Sequence, residues 1–254
     1  MLNTAERSGL FVSLHAPQRP HNKLLAVLPT ADYERLTPSL TLIPMRFKET
    51  LHKQGERIEQ VLFPCGGALS LVKNMNDGQV AEITTIGNEG IVGAHVFLGE
   101  AESIGDTIVQ VPDGGMFTIP VDAFNAEMHR RGAFYNVIMR YQAALTNQIM
   151  QTSVCNSLHS AEERACRWLL MTHDRVGRDE FQLTHEFMAG MLGVRRPTVT
   201  LIAGSLQRAG LIAYRRGHIT IVSREGLESA SCECYEASKS SYRRLMPEFT
   251  NVPG

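Results

Sequence analysis

Two arginine pairs near the end of the chain carry the clearest chemistry in the sequence. Arg195 and Arg196 stand just ahead of Pro197, Thr198 and Thr200; Arg215 and Arg216 are followed by Gly217 and His218. A guanidinium bonds bidentately to O6 and N7 of guanine, and threonine offers a hydroxyl or a methyl to a base edge. Arginines and a histidine at a hairpin tip suit phosphate oxygens. Between residues 181 and 222 there are five arginines, Arg208 included, and one acid, Glu186, a local net charge of +4. Charge runs are usually solvated faces, but these arginines fall at the two places where one small motif meets a duplex.

The motif is a helix, a glycine turn, a second helix and a hairpin. Thr184 is a cap candidate for the first helix, with Glu186 favouring its positive end. Gly193 breaks the chain. Pro197 suits the first turn of a second helix that runs to Ala209 and stops at Gly210. Two short strands then flank Arg215-Arg216-Gly217. Phe187, Met188, Met191, Leu192, Val194, Val199, Ile202 and Leu206 supply a small core. This is the layout of a winged helix-turn-helix, with double-stranded DNA as its partner and Thr184, Arg195, Arg196, Thr198, Thr200, Arg215, Arg216 and His218 as the contact residues.

Cys232-Glu233-Cys234 is a second candidate. A Cys-x-Cys can ligate metal or sense oxidants, yet it supplies two ligands where zinc wants four, and no His lies within ten residues. Thiols that merely pack are the plainer reading, so no metal site is assigned. The five cysteines are scattered and odd in number, which fits a reducing, cytoplasmic setting. His95 and Cys65 have no placeable partner as haem ligands. No P-loop, dinucleotide fingerprint, His-Glu-x-x-His or Gly-x-Ser-x-Gly occurs, so no catalytic residue, enzyme activity or cofactor is expected.

The 254 residues allow about two domains, with 43% hydrophobic and 20% charged side chains, an ordinary globular composition. The net charge of −1 is a cancellation: residues 1–150 sum to −3 and residues 151–254 to +2. No segment has the roughly 18 apolar residues of a membrane span, and the first 14 residues lack the pattern of a secretory signal. Residues 1–29, with three prolines, read as an irregular leader. A short helix is expected over 30–36, with Thr30 as its cap and Pro38 ending it. Strand-like runs follow at 40–47, 58–63, 68–74, 80–86, 106–111 and 115–119. Asn76-Asp77-Gly78 marks a hairpin, and the rhythm suggests a sandwich or barrel. After Pro120 come a short helix over 121–129 and a long one over about 132–157. Phe134, Ile138, Tyr141 and Leu145 step along the long helix as a heptad does, which predicts a dimer interface with a second copy. An amphipathic helix over 161–174 precedes the motif, with Ala165, Trp168, Leu169 and Thr172 on one face.

The stretch Leu183-Thr184-His185-Glu186-Phe187-Met188-Ala189-Gly190-Met191-Leu192-Gly193-Val194-Arg195-Arg196-Pro197-Thr198-Val199, continued by Leu206-Gln207-Arg208-Ala209-Gly210-Leu211-Ile212, resembles the DNA-binding signature of the bacterial cAMP-receptor/fumarate-nitrate-regulator (Crp/Fnr) family. The resemblance covers nearly the whole chain. It implies an α+β fold: an N-terminal β-roll (a cyclic-nucleotide-binding-like double-stranded β-helix) over 30–130, a dimerisation helix over 131–158, and a winged helix-turn-helix with a C-terminal tail over 159–254. It implies a homodimeric transcription regulator on a pseudo-palindromic operator, with RNA polymerase as a further partner. Arg196 falls at the family's base-reading Arg. The family's next position, typically Glu, is Pro197, and a second family Arg falls at Leu201. Family members that bind cyclic nucleotide carry a Gly-Glu pair and later an Arg-Ser or Arg-Thr for the phosphate. Here the effector-pocket positions are Gly93 and Ala94, then Gly105 and Asp106, and no Lys or Arg occurs between Lys73 and Arg130. A buried phosphate would lack a cation and meet Asp106, so cyclic-nucleotide binding is expected to be lost and the effector is unassigned. With no Cys before Cys65, a four-cysteine iron–sulfur cluster near the N-terminus is not expected. The competing expectation is a sensor module of the same fold that acts through protein–protein contacts, its winged domain docking a protein instead of DNA.

Overall fold

A computed structural model describes residues 20–251. It opens with α1 (Lys23–Ala26), capped by Asn22, whose side chain accepts the Leu25 N–H and donates to the carbonyls of Pro64 and Gly90. Leu24, Leu25 and Leu28 are fully buried. Residues 20–29 are therefore not a loose leader: three leucines and a satisfied buried amide hold them in the core. Residues 1–19 of the expected leader lie outside the described residues. Next comes α2 (Thr30–Leu36), whose cap position is Pro29 and not Thr30, so no side chain caps it; a 3-10 turn over Thr37–Ser39 follows.

Seven strands build the roll: β1 (Thr41–Ile43), β2 (Thr50–His52), β3 (Gln60–Pro64), β4 (Ala68–Asn74), β5 (Val80–Ile86), β6 (Asp106–Val111) and β7 (Met116–Pro120). They form two antiparallel sheets, in the orders β1-β7-β3 and β2-β6-β4-β5. Leu62 and Met116 from the first sheet meet Leu69, Ile86 and Val109 from the second, so the sheets share one core. The runs at 68–74, 80–86 and 106–111 are strands with the expected bounds. Strand β2 is an addition: three residues are too few to show alternation.

Helix α3 (Val121–His129) leads into α4 (Ala133–Leu158), 26 residues and about 39 Å long. Phe134, Ile138 and Tyr141 are 0–1% exposed, packed with Val61, Phe63, Ile91 and Phe124 of the same chain, and Leu145 joins that cluster. For Phe134, Ile138 and Tyr141 the expected dimer interface is thus corrected, while Leu145 is only half-buried. Their stripe faces the protomer's own roll, because the open face of a β-roll needs an apolar cover. The outward apolar side chains of α4 are Met150, Val154 and Leu158.

Beyond the turn at His159 and Ser160, α5 (Ala161–Val176) starts with a reciprocal cap between Ser160 and Glu163. Polar bonds dock it on the rest of the molecule. Trp168 Nε1 donates to Glu82 (2.9 Å), and Gln110 donates to Thr172 Oγ1 (2.9 Å). Arg175 pairs with Glu89 at 2.8 Å while also donating to Thr85 O and Gln148. The remaining elements are β8 (Glu180–Gln182), α6 (His185–Leu192), α7 (Arg196–Arg208), β9 (Ile212–Arg215), β10 (His218–Ile221), α8 (Arg224–Ala230) and α9 (Cys234–Leu245), ending in a 3-10 turn. The strands form a sheet in the order β8-β10-β9. Helix α9 returns to α4: Asn147 donates to Ser241 (3.2 Å), Arg140 pairs with Glu248, and Met246 is buried among Phe134 and Ile138. The tail therefore packs on the long helix as well as following the winged domain. Among the described residues no helix is long and apolar enough to cross a membrane.

Candidate nucleic-acid interface

The scaffold of the site is local. Thr184 Oγ1 accepts the Phe187 N–H at 3.1 Å and caps α6. Gly193, at φ +62°, ends that helix in the left-handed region where a side chain would be strained, and Val194 N–H closes back on Ala189 O. Arg195 is the cap residue of α7 and makes no capping bond through its side chain; Pro197 sits in the first turn. Met188, Leu192, Val199, Ile202 and Leu206 are buried between the two helices and the sheet. The opposite face of α7 is left outward: Arg195, Arg196, Pro197, Thr200 and Leu201 are exposed, and Thr198 is half-buried.

The wing is a two-residue hairpin. Arg215 pairs with His218, and Arg216 and Gly217 turn the chain with φ of +50° and +81°. Positive φ at both central positions is the primed turn that matches strand twist. It puts the Arg216 guanidinium at the tip, with Arg215 as the last strand residue. None of Arg195, Arg196, Arg215 or Arg216 enters an ion pair among the described residues. Four uncompensated cations on one domain are what a polyanion needs. His218 differs, since its Nδ1 lies 3.6 Å from Glu180 of β8.

One residue escapes the sequence reading. His185, the first residue of α6, stacks on Tyr214 of the wing with centroids 4.3 Å apart, and its Nδ1 meets Thr200 Oγ1 at 3.2 Å. It joins both helices and the wing. Burial, then the charge of Arg196, lowers its pKa, favouring the neutral ring. Thr200 also donates to Arg196 O (3.2 Å), so its hydroxyl is engaged by the protein and its methyl is the freer group. A histidine beside a cap looks like a helix-start residue in sequence; only the stack on Tyr214, 29 positions away, shows the link.

The effector positions are each taken up by the protein's own packing or hydrogen bonds. Gly93 is left-handed (φ +88°) at the start of a 3-10 turn, and a side-chain carbon there would lie 3.2 Å from His52. Ala94 is buried in the core, and Asp106 accepts from Gln54 N–H (2.7 Å) and Asn74 Nδ2 (2.8 Å). None of the three lines the 440 Å³ cavity at His52, Lys53, Arg57 and Gln60. None lines the 230 Å³ cavity between Glu89, Gln148, Arg175 and Tyr242 either. Cys65 is a buried thiol pushed up to about 11 by burial. Cys232 and Cys234, read as a pair short of two ligands, meet Cys155 and His159 from the end of α4.

Residues 163–230, from α5 through α8, match the Crp-like helix-turn-helix domain. No curated protein matches the chain. Three solved structures show the same fold. A Eubacterium rectale protein assigned to the Crp/Fnr family of transcriptional regulators is 19% identical, with a TM-score of 0.63 over 80% of this chain and 94% of its own. A CRP-family transcriptional regulator of Thermus thermophilus is 18% identical, with a TM-score of 0.60 over 74% and 96%. The c-di-GMP-responsive global regulator CLP of Xanthomonas campestris is 12% identical, with a TM-score of 0.63 over 77% and 100%. The α+β fold is that of Crp/Fnr-type DNA-binding transcription regulators, β-roll, long helix and winged domain together.

Proposed function

From a Crp-like helix-turn-helix domain set in a Crp/Fnr-type fold, we propose that this protein is a sequence-specific transcription regulator that binds a pseudo-palindromic operator as a homodimer and does not answer to cyclic AMP. The carrying observation is the outward face of α7, with Arg195 and Arg196 exposed and without ion pairs at the helix start. Arg196 reads guanine, and Leu201, 74% exposed and one turn on from Pro197, offers an apolar surface to a thymine methyl. Arg215 and Arg216 hold phosphates, with Thr184 and His218 at the edge of the contact. The second copy packs along Met150, Val154 and Leu158, apolar residues 48–74% exposed at four-residue spacing on α4. The dimer acts in the cytoplasm, with RNA polymerase as its partner at the promoter.

Selection from a random-sequence duplex library tests this reading. The expected result is enrichment of two-fold-symmetric sites with half-sites about one helical turn apart, bound with affinity that falls steeply with salt. Absence of any enriched sequence overturns the proposal and favours a sensor that docks a protein through its winged domain.

A further inference from the structure

Cys155 and His159 are four residues apart in the last turn of α4 and its cap, hence on one helix face. Cys232 and Cys234 flank the start of α9. The fold brings these two pairs together, although they are more than 70 residues apart in sequence. Cys155 Sγ lies 3.4 Å from Cys232 Sγ, and Cys234 Sγ lies 3.5 Å from His159 Nδ1. All four donor atoms are within 4.8 Å of one another. With metal–sulfur bonds of about 2.3 Å and metal–nitrogen bonds of about 2.0 Å, a tetrahedral ion sets its ligand atoms roughly 3.5–3.8 Å apart.

The surroundings are those of a ligand set. The other ring nitrogen of His159, Nε2, lies 3.1 Å from the Glu233 carboxylate. That arrangement fixes the ring with Nδ1 toward the sulfurs, as a carboxylate does for a metal-bound histidine. Gln151 Nε2 donates to Cys234 Sγ at 3.0 Å. Arg167 is buried nearby with its Nε unpartnered. The three cysteines are buried and His159 is half-buried. Cys155 and Cys232 are free thiols, not a disulfide.

We propose that Cys155, His159, Cys232 and Cys234 bind one thiophilic divalent ion, Zn²⁺ by its preference for tetrahedral sulfur and nitrogen ligands. The three thiols bind as thiolates and release three protons to solvent; no redox step is involved. Four protein ligands leave no open position, so the site is structural. The ion fastens the first turn of α9 to the end of α4, at the residue where the chain passes from the long helix to α5 and the winged domain. Metal occupancy therefore holds the tail against the joint between the β-roll and the DNA-facing domain.

Titration of the full-length, reduced and chelator-stripped protein with Co²⁺ and then Zn²⁺ tests the site. The expected result is one Co²⁺ per chain with the intense visible bands of tetrahedral thiolate coordination, bleached by one equivalent of Zn²⁺. Cys155→Ser and Cys234→Ser abolish the bands, while Cys65→Ala keeps them. Glu233→Gln, which leaves all four ligands in place, weakens affinity by roughly tenfold or more. Absence of the bands in the wild-type protein overturns the proposal whether or not the cysteine variants fold. So does their persistence in Cys155→Ser and Cys234→Ser.

Discussion

Trp168 Nε1 donates to Glu82 Oε1 at 2.9 Å, and this bond joins the first helix of the winged domain to strand β5 of the roll. The other carboxylate oxygen, Oε2, is buried without a partner. An indole N–H can bond either an ionised or a protonated carboxyl, so the link survives titration, but burial penalises the charged form.

Burial pushes the Glu82 carboxyl up to about 7, from an ordinary value of 4.5. Below pH 4.5 it is protonated folded or unfolded. Between about 4.5 and 7 the unfolded chain releases the proton while the folded chain keeps it, so stability falls as pH rises across that window and is flat above it. The full loss is on the order of 3 kcal/mol. Glu82→Gln keeps an oxygen for Trp168 and never ionises. Urea unfolding should show the variant close to wild type near pH 4.5 and more stable at pH 8. Equal pH dependence in the two proteins would remove Glu82 as the source.

The two arginine pairs should behave differently on DNA. Arg196→Ala should cost roughly 1–3 kcal/mol and relax preference at one base pair, whereas Arg216→Ala should weaken all sequences alike and reduce the salt slope by about 1. Binding isotherms on an operator and single-base variants, at two salt concentrations, separate these outcomes. A uniform loss in both variants would put Arg196 on phosphate.

Much of this was legible in sequence where the signal is local. Thr184, Gly193 and Gly210 bound their helices, and strands β4, β5 and β6 coincide with their apolar runs, because caps, left-handed glycines and alternation act within a few residues. What failed is what depends on a distant surface. Phe134, Ile138 and Tyr141 form an apolar stripe, but periodicity does not say whether the roll or a second chain covers it. Leu24, Leu25 and Leu28 share one face by their spacing, but a single helical turn is too short to stand out as a repeat, and the three are held by the core they plug. Cys232 and Cys234 meet Cys155 and His159 only because α9 folds back on α4, a contact between residues more than 70 positions apart.

Cyclic AMP and cyclic GMP should not bind. Asp106 is an acid where the resemblance expects a cation, and its carboxylate is held by Gln54 and Asn74, so it is not poised to move aside. Loss of a charged partner for a buried phosphate costs about 2–5 kcal/mol. Calorimetric titration should show no heat of binding with either nucleotide. Low-micromolar binding would contradict this account of the roll.

The two apolar stripes of α4 should respond in opposite ways. Ile138 is 1% exposed inside the protomer, so Ile138→Ala should cost about 2–5 kcal/mol of folding stability. Met150 and Val154 are 63% and 48% exposed, so replacing both with Glu leaves the protomer's core intact. Two such charges per chain, facing their copies across a two-fold axis, would bring four like charges into an apolar contact, which is costly when they lack partners. Sedimentation should show the Met150→Glu, Val154→Glu protein as a monomer with wild-type circular dichroism, and its operator affinity should fall because each half-site is then bound independently. A double variant that still sediments as a dimer would place the interface off this stripe.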